Sequence, residues 1–138
     1  MIRLLSGISL WFLLQGCQPS IEESQIPNVS VNIEINLNEI DNAPLQQIGG
    51  FIHIQGGVRG IILRRESQSN YRAFEQNCPY QPLDQCAKVD MHLSEFYFED
   101  TCCGSTFDLA GFPTGGPVQF PLKEYRISIS GDYLFIFN

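Results

Sequence analysis

Val29, Val31, Ile33, Ile35 and Leu37 alternate strictly with Ser30, Asn32, Glu34 and Asn36, the period-two pattern of a strand with one face buried and one in water. Shorter apolar or alternating runs follow at close spacing: Ile48–Ile54, Val58–Arg65, Tyr71–Phe74, Lys88–Leu93, Phe96–Phe98, Tyr125–Ile129 and Tyr133–Phe137. Clusters of Gly, Pro, Asn and Asp separate them, so the pattern predicts an all-β sandwich or barrel. Gly56-Gly57 and Gly131-Asp132 supply residues tolerant of positive φ, which predicts two tight hairpins. Leu37–Leu45 is the one helical candidate, and Pro44 interrupts it. Phe96, Phe98, Phe135 and Phe137 fall at strand periodicity and are expected in the core.

Two stretches resist strand assignment, Asn77–Ala87 and Asp100–Pro121. Both are rich in Pro and Gly, and between them they hold Cys78, Cys86, Cys102 and Cys103. Loops of that length in a compact domain are expected to be functional or cross-linked.

The start of the chain reads differently. Arg3 precedes an apolar run from Ile8 to Leu14, the pattern of a signal peptide over residues 1–16 and too short for a bilayer of roughly 30 Å, which takes about 20 residues. Leu14-Gln15-Gly16-Cys17 resembles the lipobox of bacterial lipoproteins. That resemblance implies an acylated Cys17, a lipid anchor in a membrane of the bacterial cell envelope, and a polar tether over 17–28 leading to a single domain over 29–138. Gln18 after the lipidated cysteine is compatible with outer-membrane sorting. Beyond residue 16, seven basic residues face fifteen acidic ones with no basic run, which argues against nucleic acid as a partner. Four cysteines remain once Cys17 is assigned to the lipid. An even number in an exported chain suggests two disulfides, in any of three pairings, and four cysteines could also hold a metal.

Cys78-Pro79-Tyr80 in the first loop, and Cys103-Gly104, Phe107-Asp108, Gly111, Gly116-Pro117, Pro121-Leu122 and Tyr125 in and after the second, stand in the order of the cluster loops and proline loop of Rieske iron–sulfur domains. The chain resembles that family over roughly residues 45–138, most strongly from 102 onward. The resemblance implies a Rieske-type iron–sulfur fold. It puts Cys78, Tyr80, Asp100 and Cys103 at the positions where the family has Cys, His, Cys and His. A Rieske [2Fe–2S] centre needs two thiolates on one iron and two imidazoles on the other, and the two His positions here are Tyr80 and Cys103. Some Rieske domains carry a disulfide joining the two loops, its second-loop cysteine just before the ligand His. Cys102 sits there, with Cys86 as its partner, which leaves Cys78 and Cys103 for a second bridge. The first expectation is therefore a domain with no cofactor, stapled by disulfides and serving as an accessory or binding module of an envelope complex. The alternative is an electron carrier binding a [2Fe–2S] cluster through Cys78, Tyr80, Asp100 and Cys103. A third reading is a β-sandwich surface lipoprotein whose likeness to the family is superficial.

In the family the loop tips face electron-transfer partners, so Tyr80, Phe112 and Phe120 are candidates for a docking patch to an envelope protein. His53 and His92 lie within strand candidates and read as exposed or hydrogen-bonded rather than metal-ligating. Asp108 reads as the organiser of a turn, and Ser105 as the counterpart of the serine that hydrogen-bonds a cluster sulfur in the family. No Ser/His/Asp set, phosphate-binding Gly loop or Cys-x-x-Cys spacing occurs, so no catalytic residue is assigned.

Overall fold

The computed structural model describes residues 26–138. The expected signal peptide and Cys17 lie outside this range, as does most of the expected tether.

The described residues are all-β, with ten strands in two antiparallel sheets. Strands β1 (Asn32–Asn36), β2 (Phe51–Ile54), β3 (Ile61–Arg65), β4 (Tyr71–Glu75), β9 (Glu124–Ser130) and β10 (Tyr133–Phe137) form a six-stranded sheet in the order β1-β10-β9-β4-β3-β2. Strands β5 (Asp90–Met91), β6 (Phe98–Asp100), β7 (Ser105–Phe107) and β8 (Pro113–Gly115) form a smaller sheet in chain order. Among the described residues no helix is long and apolar enough to cross a membrane.

Strand β3 explains how the core is divided. Ile61, Ile62 and Leu63 are all buried, so this strand is covered on both faces. Ile62 joins Phe74, Cys78, Val89, Met91, Phe98 and Phe107 in one cluster, which connects the large sheet to the small one. Phe74 and Phe98 meet there edge to face at 5.5 Å between ring centres. Ile61 and Leu63 join Val31, Leu45, Ala73, Tyr125, Leu134 and Ile136 in the other cluster. The cysteine-bearing loops belong to the first.

Several expectations need correction. The stretch Asp100–Pro121 is not all loop: it contains β7 and β8. These are three-residue strands, Ser-Thr-Phe and Pro-Thr-Gly, with a register irregularity between Thr106 and Phe107, too short to show a periodicity. Gly56-Gly57 does not make a tight hairpin, because Gln55–Gly60 all lie between β2 and β3. Gly131-Asp132 does, pairing Ser130 with Tyr133 across two residues. Leu37–Leu45 yields a short 3-10 helix over Ile40–Gln46 with Pro44 inside it. Of the four phenylalanines expected in the core, Phe98 is fully buried, while Phe96 is 78% exposed beyond the β5 end. Phe135 and Phe137 are half-buried because Leu134 and Ile136 take the inward face of β10.

The two ends of the domain are fastened to each other. The Asn138 side chain accepts from Val31 N–H at 3.0 Å and donates to the Val29 carbonyl at 2.7 Å and to Asn28 Oδ1 at 3.2 Å.

Candidate functional site

The second cysteine loop is the tip of the β6–β7 hairpin. Asp100 pairs with Ser105 across the strands, so Thr101–Gly104 make the turn, and Gly104 at φ +74° donates its N–H to the Asp100 carbonyl at 2.8 Å. Neighbouring side chains in this turn diverge. Cys102 lies outside and exposed, whereas Cys103 packs against the first core cluster. Gly116, at φ +80°, lies against this turn: a Cβ added there would come within 2.5 Å of the Gly104 carbonyl oxygen. Only glycine lets the two chains approach so closely.

The first loop closes on itself. Asn77 bridges to Lys88, Cys78 N–H donates to the Ala87 carbonyl, and Val89 N–H donates to the Gln76 carbonyl. Arg59, from the connection between β2 and β3, holds this loop from outside. Its guanidinium donates to Asn77 Oδ1 at 2.8 Å, to the Gln85 carbonyl at 2.7 Å and to the Asp84 carbonyl. Arg59 is held in turn by Glu75, a carboxylate with no exposure. Glu75 accepts from Val58 N–H at 2.8 Å, from Arg59 and Asn77 N–H at 2.9 Å, and from the Tyr125 hydroxyl at 2.7 Å. Burial and this bond push the Tyr125 phenol above its usual range. At Gly57, φ +61°, a Cβ would come within 2.2 Å of Glu75 Oε2, so the connection can wrap the carboxylate only with glycine there. Glu75 and Arg59 escape a sequence reading because most of their partners are backbone groups or side chains remote along the chain. The single hint is a Glu and a Gln directly after the apolar end of β4.

The two loops are joined by a disulfide between Cys86 and Cys102, with 5.7 Å between Cα atoms. The second expected bridge is not formed: Cys78 and Cys103 are free thiols. The reason is the carboxylate beside them. Asp100 is 1% exposed, and the Cys103 thiol donates to its Oδ2 at 3.4 Å and lies 3.0 Å from Ser105 Oγ. Asp100 Oδ1 accepts from Cys102 N–H at 2.8 Å. Burial raises the Cys78 thiol well above the usual cysteine range, and its hydrogen bond to Asp100 raises it further; the Tyr80 backbone N–H opposes the shift. The Cys103 thiol is thus engaged with the carboxylate rather than with Cys78.

Cys78, Asp100 and Cys103 therefore come together, all three donor atoms lying within 4.8 Å of one another. Tyr80 joins Asp100, Cys103, Gln81, Asp84 and Pro117 in lining a cavity of about 290 Å³ at this junction. The other residues fall elsewhere. His53 is exposed and bonded to Asp90 at 2.7 Å, and His92 stacks on Tyr97 and bonds to Ser94. Asp108 organises its turn, its Oδ1 accepting from Ala110 and Phe112 N–H at 2.9 Å.

These donors do not suit a Rieske [2Fe–2S] centre. Such a cluster divides its protein ligands between two irons and needs two nitrogens, whereas this junction offers two sulfurs and a carboxylate gathered round one point and no imidazole. Alkylation should distinguish the thiols. In the folded protein iodoacetamide is expected to modify half-buried Cys103 and to spare Cys78, which has no exposure, until denaturant is added. Peptide mapping reads the order, and modification of both at equal rates would contradict the burial of Cys78.

Fold and junction together define an all-β domain with a thiol–carboxylate cluster between two cross-linked loops. No family model matches the chain, and no curated protein is similar to it.

Proposed function

We propose that the chain is a bacterial envelope lipoprotein whose domain has the Rieske-type iron–sulfur architecture without its cluster, and that it works as a disulfide-stapled accessory module binding a partner through its cysteine-loop face. One observation carries this reading. Three of the four residues that the resemblance aligns with ligand positions, Cys78, Asp100 and Cys103, converge from two loops joined by Cys86–Cys102, at a point with no imidazole. The covalent link does for the loops what a shared cluster would do, by limiting their separation in the unfolded chain. Leu83 in the first loop and Phe112 before β8 are 75% and 57% exposed, the kind of apolar side chains a protein partner would cover.

The test is metal and sulfide analysis of the full chain purified from its own membrane, with an optical spectrum of the protein as isolated. The expected result is a colourless protein with neither iron nor acid-labile sulfide in stoichiometric amount. About two irons and two sulfides per chain would overturn the proposal in favour of an electron carrier with unusual ligands.

A further inference from the structure

The junction has the makings of a metal site of another kind. Cys78 and Asp100 are buried, Cys103 is half-buried, and the three converge with no basic side chain among them. The separation of Cys103 Sγ from Asp100 Oδ2 is 3.4 Å. For a tetrahedral ion with bonds of about 2.3 Å to sulfur and 2.1 Å to oxygen, the sulfur–oxygen edge is about 3.6 Å. This pair already stands close to the spacing of ligands on a single ion, and Cys78 Sγ lies within 4.8 Å of both.

We propose that this junction is a mononuclear zinc site, ligated by the thiolates of Cys78 and Cys103 and by Oδ2 of Asp100, with the fourth position towards the cavity. On binding, each thiol gives up its proton to solvent and forms a sulfur–metal bond. The dication replaces two protons, so a cluster of two thiols and a carboxylate becomes a site with one net negative charge. The donor set selects the metal. Magnesium and calcium take oxygen ligands, copper(I) would use the sulfurs and leave buried Asp100 idle, and zinc takes both.

Two of the proposed ligands, Asp100 and Cys103, already have an orienting neighbour, as metal ligands usually do. Cys102 N–H holds Asp100 Oδ1, and Oδ2 faces the Cys103 sulfur. Ser105 Oγ lies 3.0 Å from the Cys103 sulfur, where its hydroxyl can turn to donate to a thiolate. The cavity lined by Tyr80, Gln81, Asp84, Asp100 and Cys103 supplies an entry path and room for a water or a partner's side chain as fourth ligand. Sequence spacing hides the site, because its two cysteines come from different loops and no Cys-x-x-Cys pair exists.

The inference rests on the cluster-free reading only in that the junction must be free of iron and sulfide, so iron analysis judges that reading and zinc stoichiometry judges this one. The experiment uses the full chain, purified without oxygen or added reductant, with Cys86–Cys102 intact and two thiols titratable after denaturation. Cobalt(II) is the probe. The expected result is one equivalent bound with the intense absorption of tetrahedral cobalt–thiolate coordination, displaced by one equivalent of zinc. The Cys103→Ser variant is expected to lose about 100-fold or more in affinity. His53→Gln, at the exposed histidine paired with Asp90, is expected to bind as the unaltered chain does. Because Cys103→Ser could disturb the fold, zinc protection of Cys103 from alkylation in the unaltered chain gives a readout that needs no variant. Absence of saturable one-to-one binding, binding without thiolate absorption, binding unchanged by Cys103→Ser, or loss of binding in His53→Gln would each overturn the proposal.

Discussion

Glu75→Ala is expected to destabilise the protein by about 3–5 kcal/mol, the range for removing one member of a buried charged network. Three backbone N–H groups and the Tyr125 hydroxyl end on this carboxylate, and its removal leaves them without acceptors in a site closed to water. Against a total stability of about 5–15 kcal/mol, such a loss brings the domain close to unfolding. The effect should also spread. Glu75 fixes the Val58-Arg59 backbone, and Arg59 holds the Asp84 and Gln85 carbonyls beside Cys86, so the first cysteine loop loses its external support. Urea unfolding followed by circular dichroism measures the stability, and hydrogen exchange over residues 77–88 measures the loosening. A change below about 1 kcal/mol would mean that water reaches the site and satisfies these groups in the carboxylate's place.

Breaking the Cys86–Cys102 bridge is the second change expected to be large. It closes a loop with a sequence separation of 16, for which the chain-entropy estimate is about 3 kcal/mol. For a domain near 100 residues this corresponds to a fall in melting temperature of about 10–20 °C. Both cysteines are exposed, so a mild reductant should reach the bridge without prior unfolding. The double variant Cys86→Ser with Cys102→Ser is expected to melt at the temperature of the reduced protein. Agreement between the two separates the loss of the cross-link from side effects of either serine. An unchanged melting temperature in both would show that the loops hold together without it.

Much of the large sheet could be read from alternation. The run from Val29 to Leu37 becomes β1, with Val31 buried and Ile33 and Ile35 packed against the same cluster, because one face of an edge strand must meet water. Strand β10 shows where the pattern gives out. Tyr133, Leu134, Phe135, Ile136 and Phe137 are all apolar, so the period is plain but its phase is not, and only the pairing with β1 and β9 turns Leu134 and Ile136 inward. Phe137 instead lies under the Arg126 guanidinium at 4.8 Å on the other face. Phe96 misleads for a different reason: it follows Glu95, at φ +62°, in a turn that the spacing of Phe96 and Phe98 imitates as strand.

The junction was legible in part. Cys78, Asp100 and Cys103 were singled out through the family resemblance, and they do meet. The spacing of cysteines alone left three pairings open and gave no sign that Asp100 would gather beside two free thiols and accept from that of Cys103. The Glu75 and Arg59 contacts were not legible, since a buried carboxylate surrounded by backbone donors leaves no periodic mark in a sequence.

Asn138 has a consequence for handling the protein. Its one side chain secures the segment through which everything upstream is connected to the folded body. An Asn138→Ala substitution should therefore release Asn28 through Val31, letting that segment fray and become a point of proteolytic cleavage.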